Sequence, residues 1–251
     1  MKYDELGKDL VINYIANIAK GNTLSAVFAM QEATKYDNFD NYERNSNVKA
    51  LSSGIQSYYE YIWKGAIEQA KDIGYTIDMY LAAVFSIINR KISADYISKI
   101  FDKDISVWQW EDILQNLFPI IEYDKFGYSV FHNDVRIYLA SHLKKAKQLL
   151  SEISGSISDF LMGNDFDAKI KHELVFKLLK DAKRECEYVD VFTTEYVIEA
   201  YSLKRHPGEI RQQMLSTLES LISVEDKRKI VRFSCAVTTM YQHDESLRVS
   251  I

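Results

Sequence analysis

LFPIIEYDKFGYSVFHNDVRIYLASHL, running from Leu117 to Leu143, changes its periodicity halfway along. Ile121 and Tyr123 alternate with Ile120 and Glu122, and Tyr128 and Val130 alternate with Ser129 and Phe131. That period of two predicts two strands. Between them stands Asp124-Lys125-Phe126-Gly127, a short turn whose glycine can take positive φ. The period then lengthens to about 3.6, with Val135, Tyr138, Leu139 and Leu143 on one stripe, which predicts a helix. Asn133 is read as its N-cap. His132 then falls at a strand end, beside the positive end of a helix.

Upstream of this ribbon the spacing predicts three helices. The first carries Ile77, Tyr80, Leu81, Val84, Phe85 and Ile88 inward. A short second one is capped near Ser93 and buries Ile97, Ile100 and Phe101. The third opens on the capping-box pattern Ser106-Val107-Trp108-Gln109 and buries Trp110, Ile113, Leu114 and Leu117. Three helices followed by a two-stranded wing and a fourth helix describe a winged helix, expected over residues 71–146.

Residues 1–70 read as a separate helical segment. One helix has Leu6, Leu10, Tyr14, Ile15 and Ile18 on a face and ends at Gly21. A second carries Leu24, Val27, Phe28 and Gln31. The polar, Asn-rich stretch Thr34–Lys49 predicts an exposed loop or a frayed helix end. A wide stripe follows, Ile55, Tyr58, Tyr59, Ile62, Trp63, Ala66, Ile67 and Ala70, with the aromatic residues read as core.

Residues 147–251 read as helix pairs. Their stripes are Leu149/Leu150/Ile153/Ile157/Phe160/Leu161, then Ile170/Leu174/Leu178/Leu179/Ala182. A break is expected at Glu185–Phe192, then a helix with Val197, Ile198 and Tyr201. Beyond Pro207 come Ile210, Met214, Leu218, Leu221 and Ile222, then Ile230, Val231, Phe233, Val237 and Met240. Antiparallel helices on short loops predict a stacked, tetratricopeptide-like α-superhelix, although no strict 34-residue repeat shows. The fold class expected is therefore mainly α, a winged helix flanked by helical segments.

The 251 residues carry 47% hydrophobic and 27% charged residues, an ordinary globular balance. A net charge of -5 argues against a general nucleic-acid binder. No apolar run reaches the roughly 18 residues of a membrane span, and MKYDELGKDL lacks a signal-peptide layout, so a cytoplasmic protein is expected. Cys186 and Cys235 stand in no metal or redox spacing and are read as buried thiols. The last residues, YQHDESLRVSI, end without a cap, as if the chain were cut from something longer.

The segment Tyr128-Ser129-Val130-Phe131-His132-Asn133-Asp134, then Tyr138-Leu139, resembles the winged-helix motif of STAND-class signalling ATPases, the NACHT and NB-ARC proteins of antiviral defence and immunity. Lys20-Gly21-Asn22-Thr23-Leu24 resembles the S-x-G-N-x-L end of their post-ATPase helical domain. Leu51-Ser52-Ser53-Gly54-Ile55 with Tyr58, Tyr59 and Trp63 resembles their L-P-x-G-L…Y-Y…W helix, with Ser52 where the proline stands. Phe192-Thr193-Thr194-Glu195-Tyr196-Val197 resembles the superhelical region that follows.

The resemblance implies a regulatory and scaffold fragment lying after an ATPase core. His132 would read the β-phosphate of ADP, with Asn133 and Asp134 beside it in place of the family's Met-His-Asp. ADP or ATP with Mg²⁺ would bind the intact parent, and no cofactor this fragment. Its partners would be its own nucleotide-binding domain and a protein trigger or effector. No nucleic acid or membrane is expected. The fragment would be a monomer whose parent oligomerises on activation. No G-x-x-x-x-G-K-[ST] occurs in the chain, so no catalytic residue and no enzyme activity is expected of it.

The alternative is a winged-helix transcription regulator with a helical ligand or dimerisation domain. Asp102, Asp104, Glu111 and Asp112 around the third helix weigh against it. Trp108 is read as core rather than as a protein contact. His142, His172, His206 and His243 are scattered, so no metal site is assigned. Lys144, Lys145 and Lys147 are read as a solvated face.

Overall fold

A computed structural model describes residues 3–70, 77–101, 105–143, 147–163, 167–222 and 226–244. It is mainly helical with one small antiparallel ribbon, and its chain divides into two compact units. The first comprises Met1–Ser98 and Asp102–Lys145, the second Lys99–Phe101 and Ala146–Ile251. The lysine stretch at 144–147 lies outside the residues whose side chains are described.

In the first unit, α1 (Glu5–Ala19) starts where the Asp4 carboxylate accepts from the Gly7 amide at 2.7 Å. It ends on Lys20 in the left-handed region. Asn22 then caps α2 (Thr23–Ala33) by accepting from Ser25 at 3.0 Å. The buried stripe of α1 is Gly7, Val11, Ile15 and Ile18. Leu6 (72% exposed) and Leu10 (43%) lie outside it, although the spacing groups them with Ile15. In α2 the buried stripe is Ser25, Phe28, Ala29, Glu32 and Ala33, one position round from the expected one.

The expected loop Thr34–Lys49 is instead two short helices, α3 (Phe39–Arg44) and α4 (Ser46–Ser52). The asparagines that make this stretch look like loop are its caps. Asn38 accepts from Asn41, and Asn45 from Asn47 and Val48. Tyr42 and Val48 are fully buried, and the Tyr42 hydroxyl donates to the Ala29 carbonyl at 3.1 Å. Helices this short need tertiary packing to persist.

Next, α5 (Ile55–Gln69) buries Tyr58, Tyr59, Ile62, Trp63 and Ala66, the aromatic stripe the spacing gives. Then come α6 (Ile77–Ile87), α7 (Ala94–Phe101), α8 (Val107–Asn116), β1 (Ile121–Asp124), β2 (Gly127–Val130) and α9 (Asn133–Leu143). Ser93 receives the Tyr96 amide, and Ser106 with Gln109 forms the full capping box. The ribbon pairs Ile121 with Val130, Glu122 with Ser129, Tyr123 with Tyr128 and Asp124 with Gly127. Ile92, just before α7, adds a bridge: its amide donates to the Tyr128 carbonyl and the Tyr128 amide to its carbonyl, each at 2.9 Å. Gly127 sits at φ +124°, and a Cβ there would lie 2.7 Å from the Ile92 carbonyl oxygen, so only glycine fits.

In the second unit, α10 (Lys147–Gly163) packs on α11 (Ala168–Asp181). The expected break at Glu185–Phe192 is a 3₁₀ turn, Glu185–Glu187, leading into α12 (Tyr188–Val191). The 3₁₀ turn buries no residue, while Tyr188, Val189, Val191 and Phe192 join a core with Val175, Leu179, Val197 and Ala236. The last helices are α13 (Thr194–Ser202), α14 (Pro207–Leu221) and α15 (Lys227–His243). Phe233, Ala236 and Met240 of α15 are buried, but Ile230 and Val231 are exposed, as are Ile198, Leu218 and Ile222. Both cysteines, expected buried, are exposed. Trp108, expected in the core, is 80% exposed, and Trp110 takes the core position.

Candidate functional site

The ribbon hands over to α9 on a packed support. The Phe131 amide donates to the Ile120 carbonyl at 3.0 Å, carrying the pairing one residue past β2. The Phe131 ring meets Phe28 of α2 at 5.3 Å between centroids. Behind it, Val135, Leu139 and Leu143 of α9 are buried. Tyr138 is only half-buried, its ring against Tyr59 at 5.6 Å and His142 at 4.7 Å. The position of residue 132 is thus fixed from both sides.

His132 is exposed, its side chain at 49%. Its Nδ1 accepts from the Asp134 amide at 3.2 Å, and its carbonyl accepts from the Val135 amide at 3.0 Å. His132, not Asn133, therefore caps α9. The imidazole reaches the amide two residues on, as an Asx side chain would. Asn133 is the first helical residue, and its Oδ1 accepts from Arg136 at 3.4 Å. With the Nδ1 lone pair committed to the cap, the neutral ring carries its proton on Nε2. That leaves one N–H donor for a neighbour.

The three residues singled out from sequence therefore meet at one helix end. Asp134 lies in the first turn, 3.8 Å from the His132 ring nitrogen, where its charge complements the helix dipole. Sequence reading missed Arg136. Its Nε donates to the Phe85 carbonyl at 3.4 Å, and burial pulls its pKa below the usual guanidinium value. The Asn133–Arg136 spacing of three on a helix face is the signal that could have found it. The cluster offers an imidazole N–H and a guanidinium tethered at two points, with a carboxylate beside them. It can hold and orient an anion, and no described hydroxyl or thiol forms a nucleophile–base pair in it.

A groove in the second unit is filled by its own charges. It measures 870 Å³ and is lined by Ser151, Asp159, Lys183 and Arg184. There the Arg184 guanidinium is held bidentate by Asp159 and again by Glu187, with oxygens at 2.6 to 2.9 Å. These carboxylates raise its pKa further and occupy its donors. Among the described residues no group of His, Cys, Asp and Glu could hold a metal ion, and no helix is long and apolar enough to cross a membrane. No family model matches the chain, and neither a curated protein nor a solved structure matches it.

Proposed function

We propose that the chain is a non-catalytic regulatory and scaffold part of a STAND-class ATPase, cytoplasmic and used in defence-type signalling. In this reading His132 feels the diphosphate of a nucleotide held by a neighbouring ATPase core. Loss of that contact on exchange to ATP frees the winged helix to move, and the second unit relays partner binding. One observation carries the reading: an exposed imidazole at the ribbon–helix junction, with Nδ1 spent on the helix and Nε2–H left to donate. The order of the Gly21-Asn22, Gly54…Trp63 and His132 motifs supports it.

The test uses the longer protein bearing the nucleotide-binding core. His132→Ala is expected to release ADP about tenfold faster or more, the worth of one hydrogen bond to a charged group, and to raise basal signalling. His132→Asn keeps a capping oxygen but lacks the reach of Nε2, so it is expected to leave helicity intact and still loosen ADP. Unchanged ADP retention in both variants would remove the sensing role.

A further inference from the structure

The first unit carries a second surface, independent of the nucleotide reading. In the first turn of α8, Trp108 is 80% exposed, and on the wing Tyr123 and Phe126 are 66% and 68% exposed. Large aromatic side chains left in water forgo their burial energy, and Trp and Tyr are the residues most often found anchoring protein interfaces.

Helix and wing adjoin, since α8 packs on β1 and the Tyr128 side chain lies close to Gln115 and Glu111 of α8. Within the wing the Tyr123 ring lies 4.7 Å from that of Tyr128. Gln115, Glu111 and Trp108 stand at spacings of four and three on α8, hence along one stripe of the helix. The aromatic groups and the helix stripe therefore belong to one face.

On this face carboxylates outnumber cations, with Glu111, Asp112, Glu122 and Asp124 against Lys91 and Lys125. Glu111 and Asp112 make no ion pair among the described residues. Glu122 faces Ser129 across the ribbon. Asp124 is satisfied by Lys91 and by the Phe126 amide, and Lys125 lies over the Phe126 ring at 4.8 Å. Laid against DNA, α8 would bring Glu111 and Asp112 toward phosphate, which repels them.

We propose that this α8–wing face docks a basic, amphipathic segment of a partner protein. Trp108 and Tyr123 take its apolar side chains and stack on its cations, while Glu111 and Asp112 pair with them. The carboxylates give the contact its salt dependence, and Trp108 its depth.

The test is fluorescence anisotropy of a dye-labelled Lys/Leu amphipathic helix peptide titrated with the full chain. A Glu/Leu peptide and random duplex DNA serve as parallel probes. Expected are saturable binding of the Lys/Leu peptide alone and a loss of about tenfold or more in Trp108→Ala. Glu111→Gln with Asp112→Asn is expected to flatten the salt dependence. Unchanged melting curves would show that these exposed substitutions leave the fold intact. No saturable peptide binding, peptide binding indifferent to both variants, or duplex DNA binding lost in Trp108→Ala would each overturn the proposal.

Discussion

Glu32 in the first unit and His172 in the second are both buried titratable side chains, and the two are treated very differently. In the first, Glu32 of α2 is fully buried, and its Oε1 accepts from Lys35 at 2.8 Å, Tyr58 at 3.1 Å and Asn47 at 3.1 Å. Three donors, from α4, α5 and the turn after α2, converge on one oxygen of an α2 residue, so the carboxylate knots the helices together. In the second, His172 of α11 is 1% exposed, stacked on Tyr196 at 3.9 Å. Its Nε2 meets the Glu199 carboxylate at 2.8 Å, and its Nδ1 is buried without a hydrogen-bond partner. A buried charge with several donors is costly to remove, whereas a buried neutral ring with one partner is replaceable in shape and sensitive to protons.

The contrast can be broken most directly at Glu32. Glu32→Ala strands the Tyr58 hydroxyl and the Asn47 amide, leaves Lys35 to solvent, and is expected to cost about 2–4 kcal/mol, measured by denaturant unfolding of the first unit's signal. A cost below about 1 kcal/mol would mean that the knot is ornamental. Tyr58→Phe removes a single donor and is expected to cost about 1 kcal/mol.

His172 is expected to show itself in pH rather than in size. Burial lowers its pKa, with the Glu199 hydrogen bond and charge opposing and Arg205 and Lys171 adding to the fall. The unfolded chain therefore takes up the proton first as pH drops. Stability from this group is full above the unfolded value of about 6.5 and is lost as pH falls toward the lower folded value. His172→Phe keeps the stacking and deletes the orphan nitrogen, so it is expected to change stability at neutral pH by less than about 1.5 kcal/mol. It is also expected to abolish the His172 share of the acid sensitivity, read by melting across pH 5 to 8.

An effect of the same modest size is expected at His206. It caps α14 as His132 caps α9, its Nδ1 receiving the Gly208 amide at 3.1 Å. His206→Ala is expected to cost about 0.5–2 kcal/mol, seen in thermal melting. A matching stability cost for His132→Ala would show that capping is common to both histidines, which makes His132→Asn, with its capping oxygen kept, the variant that isolates Nε2.

Much of the first unit was legible because its patterns agree at several levels. The aromatic stripe of α5, the capping box of α8 and the glycine turn of the ribbon each follow from spacing plus local chemistry. The sequence misled where one residue type has two uses. The asparagines of Thr34–Lys49 read as loop because Asn favours turns, yet the same side chains cap α3 and α4. Periodicity marked Leu6, Leu10, Leu218 and Ile222 as apolar but could not say which of two adjoining stripes would be covered. The Ile92 bridge, a single pair from a distant loop, leaves no period to detect.

At the candidate site, His132, Asn133 and Asp134 were found together by motif, while the exchange of capping role between His132 and Asn133 depends on which side chain reaches the amide. Spacing put Trp110 on the buried stripe with Ile113 and Leu114, where it lies; Trp108, two residues back and so on another side of α8, was read as core too and is exposed.

The pair of hydrogen bonds between Ile92 and Tyr128 turns a free two-residue hairpin tip into a tethered lever. With Gly127 pressed against the Ile92 carbonyl, a push on Phe126 is not absorbed by flexing of the ribbon. It is delivered to the corner between α6 and α7. Any hand laid on the wing is therefore felt in the body of the domain.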